Sequence, residues 1–258
     1  GTATVEKIDG GGGIDVIAGT GSSDTLDFSA TELIGISLID GDLGNDAITG
    51  SAGNDLIVGG AGSDNLKGGA GDDIFLVSGA DAGYDRFEGG DGADIVQGSD
   101  GDDTIRLHQF TGTATVEAIA GGGGYDIIAG TGSSDTLDFS ATELIGISLI
   151  DGGLGNDAIT GSAGNDVIVG GAGSDNLKGD AGDDVFLVSG ADTGYDRFDG
   201  GDGVDIVQGG DGDDTIRMHQ FTGTATVEKI DGGGGIDVIA GTGSSDTLDF
   251  SATELTGI

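Results

Sequence analysis

The sequence contains no cysteine, no proline and no tryptophan, and only eight of its 258 residues are lysine or arginine. The absence of cysteine excludes disulfides and a cysteine nucleophile. The 47 acidic residues give a formal net charge of −39, which would repel nucleic-acid phosphates, so nucleic acid is not an expected partner. No apolar run approaches the roughly 18–20 residues of a membrane span, so membrane insertion is not expected either.

Aromatic residues are also scarce, at 5% of the chain, which argues against an ordinary globular core. High net charge with few aromatics is typical of disordered chains. What the chain does contain is 59 glycines arranged in a repeat. A repeat that binds cations can draw its folding free energy from the metal instead of from apolar burial.

The repeat is clearest at residues 50–76, where three nonapeptides follow one another as GSAGNDLIV, GGAGSDNLK and GGAGDDIFL. Their shared pattern is G-G-x-G-x-D-x-U-x, where U is a large apolar residue. Glycine at positions one, two and four allows positive φ angles and a tight turn. Such a turn directs carbonyl oxygens inward beside the position-six carboxylate. Ca²⁺ requires six or more oxygens at about 2.3–2.6 Å, so two stacked turns would have to share each ion.

Nonapeptides of this pattern, in tandem and in register, resemble those of the RTX (repeats-in-toxin, haemolysin-type) calcium-binding family. The resemblance implies an all-β fold, a right-handed parallel β-roll or β-solenoid in which two nonapeptides, 18 residues, complete one coil. It also implies a secreted or cell-surface bacterial protein. Such a protein typically leaves the cell unfolded by type I secretion and folds on meeting extracellular calcium.

A longer repeat is superimposed on the nonapeptides, because the hexapeptide GTATVE begins at Gly1, Gly112 and Gly223. We therefore expect copy 1 at 1–111, copy 2 at 112–222 and a truncated copy 3 at 223–258. One continuous solenoid is expected to contain all three, as a segment of a longer chain.

Three stretches interrupt the nine nonapeptides of each copy. Val77–Gly79 is read as a short strand extension, whereas Phe28–Asp40 and Leu107–Ala120 are longer and lack the glycine–aspartate set. The longer two are predicted to form ion-free half-coils, turning near Thr31–Glu32 and Thr111–Gly112 and held by apolar burial. Nine nonapeptides and two such turns would make 11 half-coils per copy, an odd number that would rotate successive copies by half a turn.

Calcium is the predicted cofactor, and solvated surface acids are the alternative explanation of the aspartates. Metal sites are expected where two aspartate-bearing turns stack on one edge, giving about seven ions per copy. One edge is predicted to carry a single unbroken row of Asp24, Asp46, Asp64, Asp85, Asp103 and Asp126. The other edge is predicted to stack Asp55, Asp73 and Asp94. The full set of predicted metal ligands is Asp15, Asp24, Asp46, Asp55, Asp64, Asp73, Asp85, Asp94, Asp103, Asp126, Asp135, Asp157, Asp166, Asp175, Asp184, Asp196, Asp205, Asp214, Asp237 and Asp246.

Position eight is predicted to form a narrow apolar core, made in copy 1 by Ile17, Leu26, Ile48, Ile57, Leu66, Phe75, Phe87, Val96 and Ile105. Positions seven and nine point outward and differ between alternate nonapeptides. One outer face is therefore predicted to be apolar, with Leu56, Val58 and Leu76, and the other polar. Exposed contiguous apolar surface usually marks a contact site, so self-association into fibres or bundles is expected. The corresponding residues of copy 2 are Ile127, Val167, Leu187 and Ile206.

Other chemistry finds little support. The sequence lacks the later glycine and terminal glutamate of an EF-hand loop, the Gly-Lys-Ser/Thr of a phosphate-binding loop and the G-x-S-x-G of a serine hydrolase. His108 and His219 occupy one position in two copies, which favours a structural role. Outward Thr25, Thr49 and Thr104 form no unbroken file of the kind that ice binding would need. We expect no enzymatic activity.

The leading hypothesis is a structural, calcium-stabilised extracellular filament, such as the shaft of an adhesin, a surface layer or a matrix fibre. Repeat units that contact only their neighbours can be extended freely, as such a role requires. The alternative is a passive module that assists the export and folding of a secreted enzyme or toxin.

Overall fold

The computed structural model describes residues 5–77, 83–111, 115–188, 194–222 and 226–258. Secondary structure in these ranges is entirely β, and they contain no helix that is long and apolar enough to cross a membrane. The GTATVE starts at Gly1, Gly112 and Gly223, most of the Val77–Gly79 extension and half of the Thr111–Gly112 turn lie outside the described residues.

The strands are short, mostly three residues, because each nonapeptide gives only positions seven to nine to a strand. The first fifteen are β1 (Lys7–Asp9), β2 (Asp15–Ala18), β3 (Thr25–Asp27), β4 (Glu32–Ile34), β5 (Ile36–Asp40), β6 (Ala47–Thr49), β7 (Leu56–Val58), β8 (Asn65–Ala70), β9 (Ile74–Leu76), β10 (Arg86–Asp91), β11 (Ile95–Gln97), β12 (Thr104–Arg106), β13 (Gln109–Phe110), β14 (Ala118–Ala120) and β15 (Asp126–Ala129). The remaining strands are β16 (Thr136–Asp138), β17 (Glu143–Ile145), β18 (Ile147–Asp151), β19 (Ala158–Thr160), β20 (Val167–Val169), β21 (Asn176–Ala181), β22 (Val185–Leu187), β23 (Arg197–Asp202), β24 (Ile206–Gln208), β25 (Thr215–Arg217), β26 (Gln220–Phe221), β27 (Lys229–Asp231), β28 (Val238–Ala240), β29 (Thr247–Leu248) and β30 (Glu254–Thr256).

The chain forms two compact units, Gly1–Ile127 with Leu144–Ile147, and Ile128–Glu143 with Ser148–Ile258. In unit 1, strands β2, β5, β7, β9, β11 and β14 form one sheet, and β3, β6, β8 and β10 form another. In unit 2, strands β18, β20, β22, β24, β27 and β30 form one sheet, and β16, β19, β21 and β23 another. The pairings within these sheets are parallel, as in β6 with β8, where Ile48 pairs with Leu66 one 18-residue coil later. The parallel β-solenoid predicted from the nonapeptide is confirmed.

The long interruptions add a third strand to a coil, so the prediction that they form half-coils is wrong. In unit 1, β4 pairs with β1 in a sheet of its own, beside the pairs β2–β5 and β3–β6. Its preceding turn is closed by the Thr31 N–H, which donates to the Phe28 carbonyl, and Gly35 at φ 65° separates β4 from β5. In unit 2, the pairs β24–β27, β25–β28 and β26–β29 again give three strands per coil.

This arrangement removes the count of 11 half-coils and the half-turn rotation inferred from it. A segment with two bends and enough apolar residues for two strands cannot close a flat two-stranded coil. It instead opens the coil into three sides. Strand β12 is accordingly absent from the sheet of β3, β6, β8 and β10.

The core consists of the position-eight side chains, as predicted. Ile57, Phe75, Val96 and Ile105 are fully buried, whereas Ile17 in the first coil is half-buried. Phe75 packs edge to face against Phe87 from the opposite sheet, with ring centroids 5.4 Å apart. The interruptions also contribute to the core as predicted, through the buried side chains of Phe28, Ile39, Leu107, Phe110, Val116 and Ile119.

The outer side of the sheet that contains β7 and β9 carries an apolar ladder. The register pairs Val16 with Leu38 and Leu56 with Ile74, and Ile74 with Ile95 in the next strand. These side chains are half-buried or exposed, with Val16 at 49% and Ile74 at 38%. The predicted apolar outer face is therefore present on this sheet of unit 1.

Candidate metal-binding rows

The position-six aspartates form rows in which each turn is hydrogen-bonded to the next. In row A, the Asp24 N–H donates to Asp46 Oδ1 at 2.7 Å, Asp46 to Asp64 at 2.7 Å and Asp64 to Asp85 at 2.9 Å. In row B, Asp55 donates to Asp73 and Asp73 to Asp94, both at 2.8 Å, and in row C Asp103 donates to Asp126 at 2.9 Å. Unit 2 repeats these as row A′ (Asp135, Asp157, Asp175 and Asp196), row B′ (Asp166, Asp184 and Asp205) and row C′ (Asp214 and Asp237).

In eight aspartates that lie beyond the first turn of a row, the second carboxylate oxygen is buried and has no hydrogen-bond partner. Such an orphaned acceptor is costly, because an ionised oxygen has left water without gaining a donor. This is the state of Oδ2 in Asp46, Asp73, Asp94, Asp126, Asp157, Asp184, Asp205 and Asp237. All of these residues are buried.

Glycine at position one leaves the space into which these oxygens point. A Cβ built on Gly152 would lie 2.7 Å from Asp157 Oδ2 and 2.6 Å from the carbonyl oxygen of Gly170 in the next coil. The φ angle of Gly152 is not in the positive region, so close approach and not backbone conformation requires glycine there. Most other position-one glycines, such as Gly50 and Gly68, meet the same pair of oxygens, one carboxylate and one carbonyl, whereas the nearest atoms to Gly59, Gly121 and Gly170 belong to the aspartate alone. The prediction that position one adopts positive φ is therefore wrong.

In the first turn of each row, Oδ2 has a hydrogen-bond donor that the later turns lack, and the residue at position two indicates this in the sequence. There position two is mostly Ser or Thr, and its N–H donates to Oδ2 of its own turn, as Ser51 does to Asp55 at 2.6 Å. Ser99 does the same to Asp103, and Ser162 to Asp166. In later turns position two has positive φ, as at Gly60 (96°) and Gly69 (115°), and Oδ2 loses that donor. Ser or Thr at position two is thus a sequence signal for the start of a row.

Burial raises the pKa of several row aspartates. Loss of hydration is the main cause, and the charges of neighbouring turns add to it. The pKa of Asp73 rises to about 7 because of burial, despite the Asp55 N–H, with the charges of Asp55 and Asp94 adding to the rise. Burial likewise raises the pKa of Asp184 to about 7 and that of Asp157 to about 6. Burial thus disfavours the ionised form of these carboxylates, and a bound cation would favour it.

The donor set fits a hard cation such as calcium. Carboxylate and backbone carbonyl oxygens converge at position one, and both are ligands that calcium prefers. Within the described ranges no three His, Cys, Asp or Glu side chains cluster, so each site would depend on backbone carbonyls as well as one or two carboxylates. A bound calcium ion would supply the missing partner of Oδ2 and neutralise the stacked charges.

The predicted pairings are largely present, and one of them is wrong. Asp85 and Asp103 are not neighbours: Asp85 pairs with Leu107, and Asp103 begins row C. The single unbroken row is therefore two rows, because the third strand of the coil separates them. Asp15 lies outside the rows, with its N–H 3.4 Å from Ser37 Oγ. Asp246 accepts from Thr242 Oγ1 at 2.7 Å.

Position five makes a second ladder that the sequence reading missed. Its side chain accepts the position-five N–H of the next coil, as Asn45 Oδ1 does from Ser63 and Asn54 Oδ1 from Asp72, both at 3.0 Å. Asp72 Oδ1 accepts in turn from Ala93 at 3.0 Å. The frequent Asn, Ser and Asp at this position were the available signal, since these residues readily hydrogen-bond turn backbone.

Comparison with protein families identifies the repeat. The RTX calcium-binding nonapeptide repeat (4 copies) matches residues 1–30, 40–75, 80–107, 111–141, 151–186, 191–216 and 222–252, well over half of the chain. A comparison with curated protein sequences finds no significant match.

Proposed function

The chain belongs to the RTX calcium-binding nonapeptide-repeat family, and we propose that it is a structural, calcium-stabilised segment of an extracellular fibre, matrix, surface layer or adhesin shaft. The observation that carries this proposal is the stacking of buried carboxylates, such as Asp73 and Asp94, whose Oδ2 atoms lack partners. Such rows hold a coil together only when cations neutralise them, which couples folding to calcium. The protein would thus fold where calcium is abundant, outside the cell.

Each pair of neighbouring row aspartates is proposed to hold one ion. Six such pairs lie in unit 1, because Asp85 and Asp103 are not neighbours. The row aspartates of both units are the proposed ligands. Asp15 and Asp246 are the weakest members of the predicted set, since neither makes an aspartate-to-aspartate hydrogen bond of this kind within the described residues.

The proposal includes no catalytic activity. The buried carboxylates, which would be the candidates for acid–base work, are engaged with backbone N–H groups in regular rows. His219 is largely exposed, and its Nδ1 lies 3.7 Å from Asp246 Oδ1 at a turn. Both features support a structural role for these residues.

Self-association is proposed through the apolar ladder of Val16, Leu38, Leu56, Ile74 and Ile95, with a second copy of the chain as the partner. A net charge of −39 opposes such contact until calcium neutralises the rows. Sedimentation velocity in calcium should therefore show concentration-dependent oligomers for the native chain and a monomer for the triple variant Leu56→Ser, Val58→Ser, Leu76→Ser. This variant changes one residue of the ladder, Leu56, and the half-buried Val58 and Leu76 on the same outer face. Equal association of the two would remove this part of the proposal.

The second candidate is a passive export and folding module of a secreted enzyme or toxin, which the same calcium chemistry would suit. Electron microscopy of the native parent protein separates the two. A shaft should appear as long fibres in calcium that lose their order when a chelator is added. A short roll attached to a catalytic domain whose activity outlasts chelation would favour the module.

A further inference from the structure

The segment that follows row B carries a carboxylate outside the nonapeptide pattern. Glu117 Oε2 accepts the Asp94 N–H at 2.7 Å, and Glu228 Oε2 accepts the Asp205 N–H at 2.8 Å. In the rest of row B this N–H bond is made to Oδ1 of a position-six aspartate, as from Asp73 to Asp94. Glu117 thus occupies the place of the next position-six residue, in a stretch that the sequence predicted to be free of ions.

The carbonyl oxygen that a following nonapeptide would supply from its position one also has a substitute here. At Gly68 a Cβ would meet Asp73 Oδ2 and the Gly89 carbonyl of the next coil. At Gly89 it would meet Asp94 Oδ2 and the carbonyl of Thr115. The three residues Thr115–Glu117 therefore supply the carbonyl and the carboxylate that a nonapeptide supplies from its positions one and six.

Thr115 is held in an unusual conformation to do this. Its φ is 50°, and that of Thr226 in unit 2 is 48°, values that β-branched residues rarely adopt. Thr115 Oγ1 accepts the Gly90 N–H at 2.7 Å, and Thr226 Oγ1 accepts the Gly201 N–H at 2.7 Å. Next to Thr115, Val116 is 3% exposed and anchors the segment in the core.

The oxygen that these groups surround is buried and unpartnered. Asp94 is 1% exposed and Asp205 0%, and Oδ2 of each has no hydrogen-bond partner. The nearest lysine in the sequence of unit 2, Lys229, forms its 2.7 Å ion pair with Asp231. An acidic pair with a buried orphan oxygen and a converging carbonyl is the arrangement found within the rows themselves.

We propose that Asp94, Thr115 and Glu117 form a further divalent-cation site that takes calcium, and that Asp205, Thr226 and Glu228 form its equivalent in unit 2. The inference rests on the proposed calcium-dependent function and extends it to turns outside the nonapeptides. Each such site closes a row B with glutamate in place of aspartate. It also fixes the first residues of the following copy of the 111-residue repeat, since copies 2 and 3 begin at Gly112 and Gly223.

The test is the number of calcium ions bound per chain, measured by equilibrium dialysis. The double variant Glu117→Gln, Glu228→Gln keeps an amide oxygen for the Asp94 and Asp205 N–H groups but loses both charges. It should bind two ions fewer than the native chain, and each single variant one fewer. Glu143→Gln, which changes an exposed glutamate of strand β17, should bind the native number.

Two outcomes are kept apart by this design. A native chain that binds no calcium would contradict the proposed function itself. A double variant that binds as many ions as the native chain, with the same affinity, would overturn only the two additional sites. If the variant does not fold in calcium, anomalous diffraction from native crystals decides. Peaks between Asp94 and Glu117 support the proposal, and peaks confined to the aspartate rows contradict it.

Discussion

Asp72 and Asp73 are consecutive residues whose carboxylates have opposite surroundings. Asp72 is exposed, and its Oδ1 accepts the Ala93 N–H at 3.0 Å. Asp73 is 0% exposed, its Oδ1 accepts the Asp55 N–H, and its Oδ2 has no partner. Only the second carboxylate is placed to need a cation, although the two residues are identical in type.

Replacing each by asparagine separates the two roles. Asp73→Asn keeps an oxygen for the Asp55 N–H but lowers the charge available to the metal. We expect it to reduce the number of bound calcium ions and to lower the free energy of unfolding in calcium by about 1–3 kcal/mol. Asp72→Asn should stay within about 0.5 kcal/mol of the native chain. Denaturant unfolding in saturating calcium measures both, and equal losses would contradict the assignment.

Without calcium, the stability of the fold should fall as the pH rises. An aspartate with a raised pKa contributes stability that is complete below its unfolded pKa of about 4 and is lost as the pH passes its folded value. For Asp73 and Asp184 that value is about 7, and for Asp157 about 6. Calcium-free protein should therefore be most β-rich near pH 4 and lose structure towards pH 7.

Calcium should reverse this pH dependence, because protons and the metal compete for the same oxygens. Thermal unfolding followed from pH 4 to pH 8, with calcium and without it, measures the two trends. Parallel trends in the two conditions would show that the row carboxylates do not bind the metal.

Substitution by alanine should be costly at one position-four glycine and almost neutral at the position-four glycine of the next nonapeptide. Gly203 has φ 144°, and a Cβ there would meet the Gly182 carbonyl, whereas Gly212 has no heavy atom within 4 Å of such a Cβ and no positive φ. We expect Gly203→Ala to cost more than about 2 kcal/mol of unfolding free energy. Gly212→Ala should change it by less than about 0.5 kcal/mol. A comparable loss in both, measured by denaturant unfolding in calcium, would contradict the two classes of turn.

The side chain that opens row B should matter as well. Ser51 Oγ donates to Asp55 Oδ2 at 3.0 Å and accepts the Gly53 N–H at 3.1 Å. Ser51→Ala removes both hydroxyl hydrogen bonds and should lower the free energy of unfolding in calcium by about 1 kcal/mol. The loss should be no larger, because the Ser51 backbone N–H still donates to Asp55. Ala52→Ser, at the exposed neighbouring position, is the control. A neutral Ser51→Ala would show that the N–H alone completes the first turn.

The periodic part of the fold could be predicted from the sequence because its cause is local. Position eight is apolar in almost every nonapeptide, so the buried core of Ile57, Phe75 and Val96 and the parallel stacking followed directly. The metal rows followed for the same reason wherever two nonapeptides succeed each other without a long interruption. Asp55, Asp73 and Asp94 are such a case.

The interruptions could not be predicted, because their length alone does not determine how many sides the coil gains. Phe28–Asp40 contains two bends, one closed at Thr31 and one at Gly35, and the second is marked only by a single glycine. The predicted stacking of Asp103 on Asp85 was wrong for the same reason, since the length of an interruption does not show that the coil gains a third side. Glu117 was missed because it lies outside any nonapeptide, and only the stacked structure brings it under Asp94.

The most direct test of the account is far-ultraviolet circular dichroism of this chain at neutral pH and low ionic strength during a calcium titration. The account predicts a β-rich spectrum in millimolar calcium that collapses when excess EGTA is added and returns when calcium is restored. A spectrum that stayed fully β-rich in excess EGTA would contradict the claim that metal ions hold the rows of buried aspartates together.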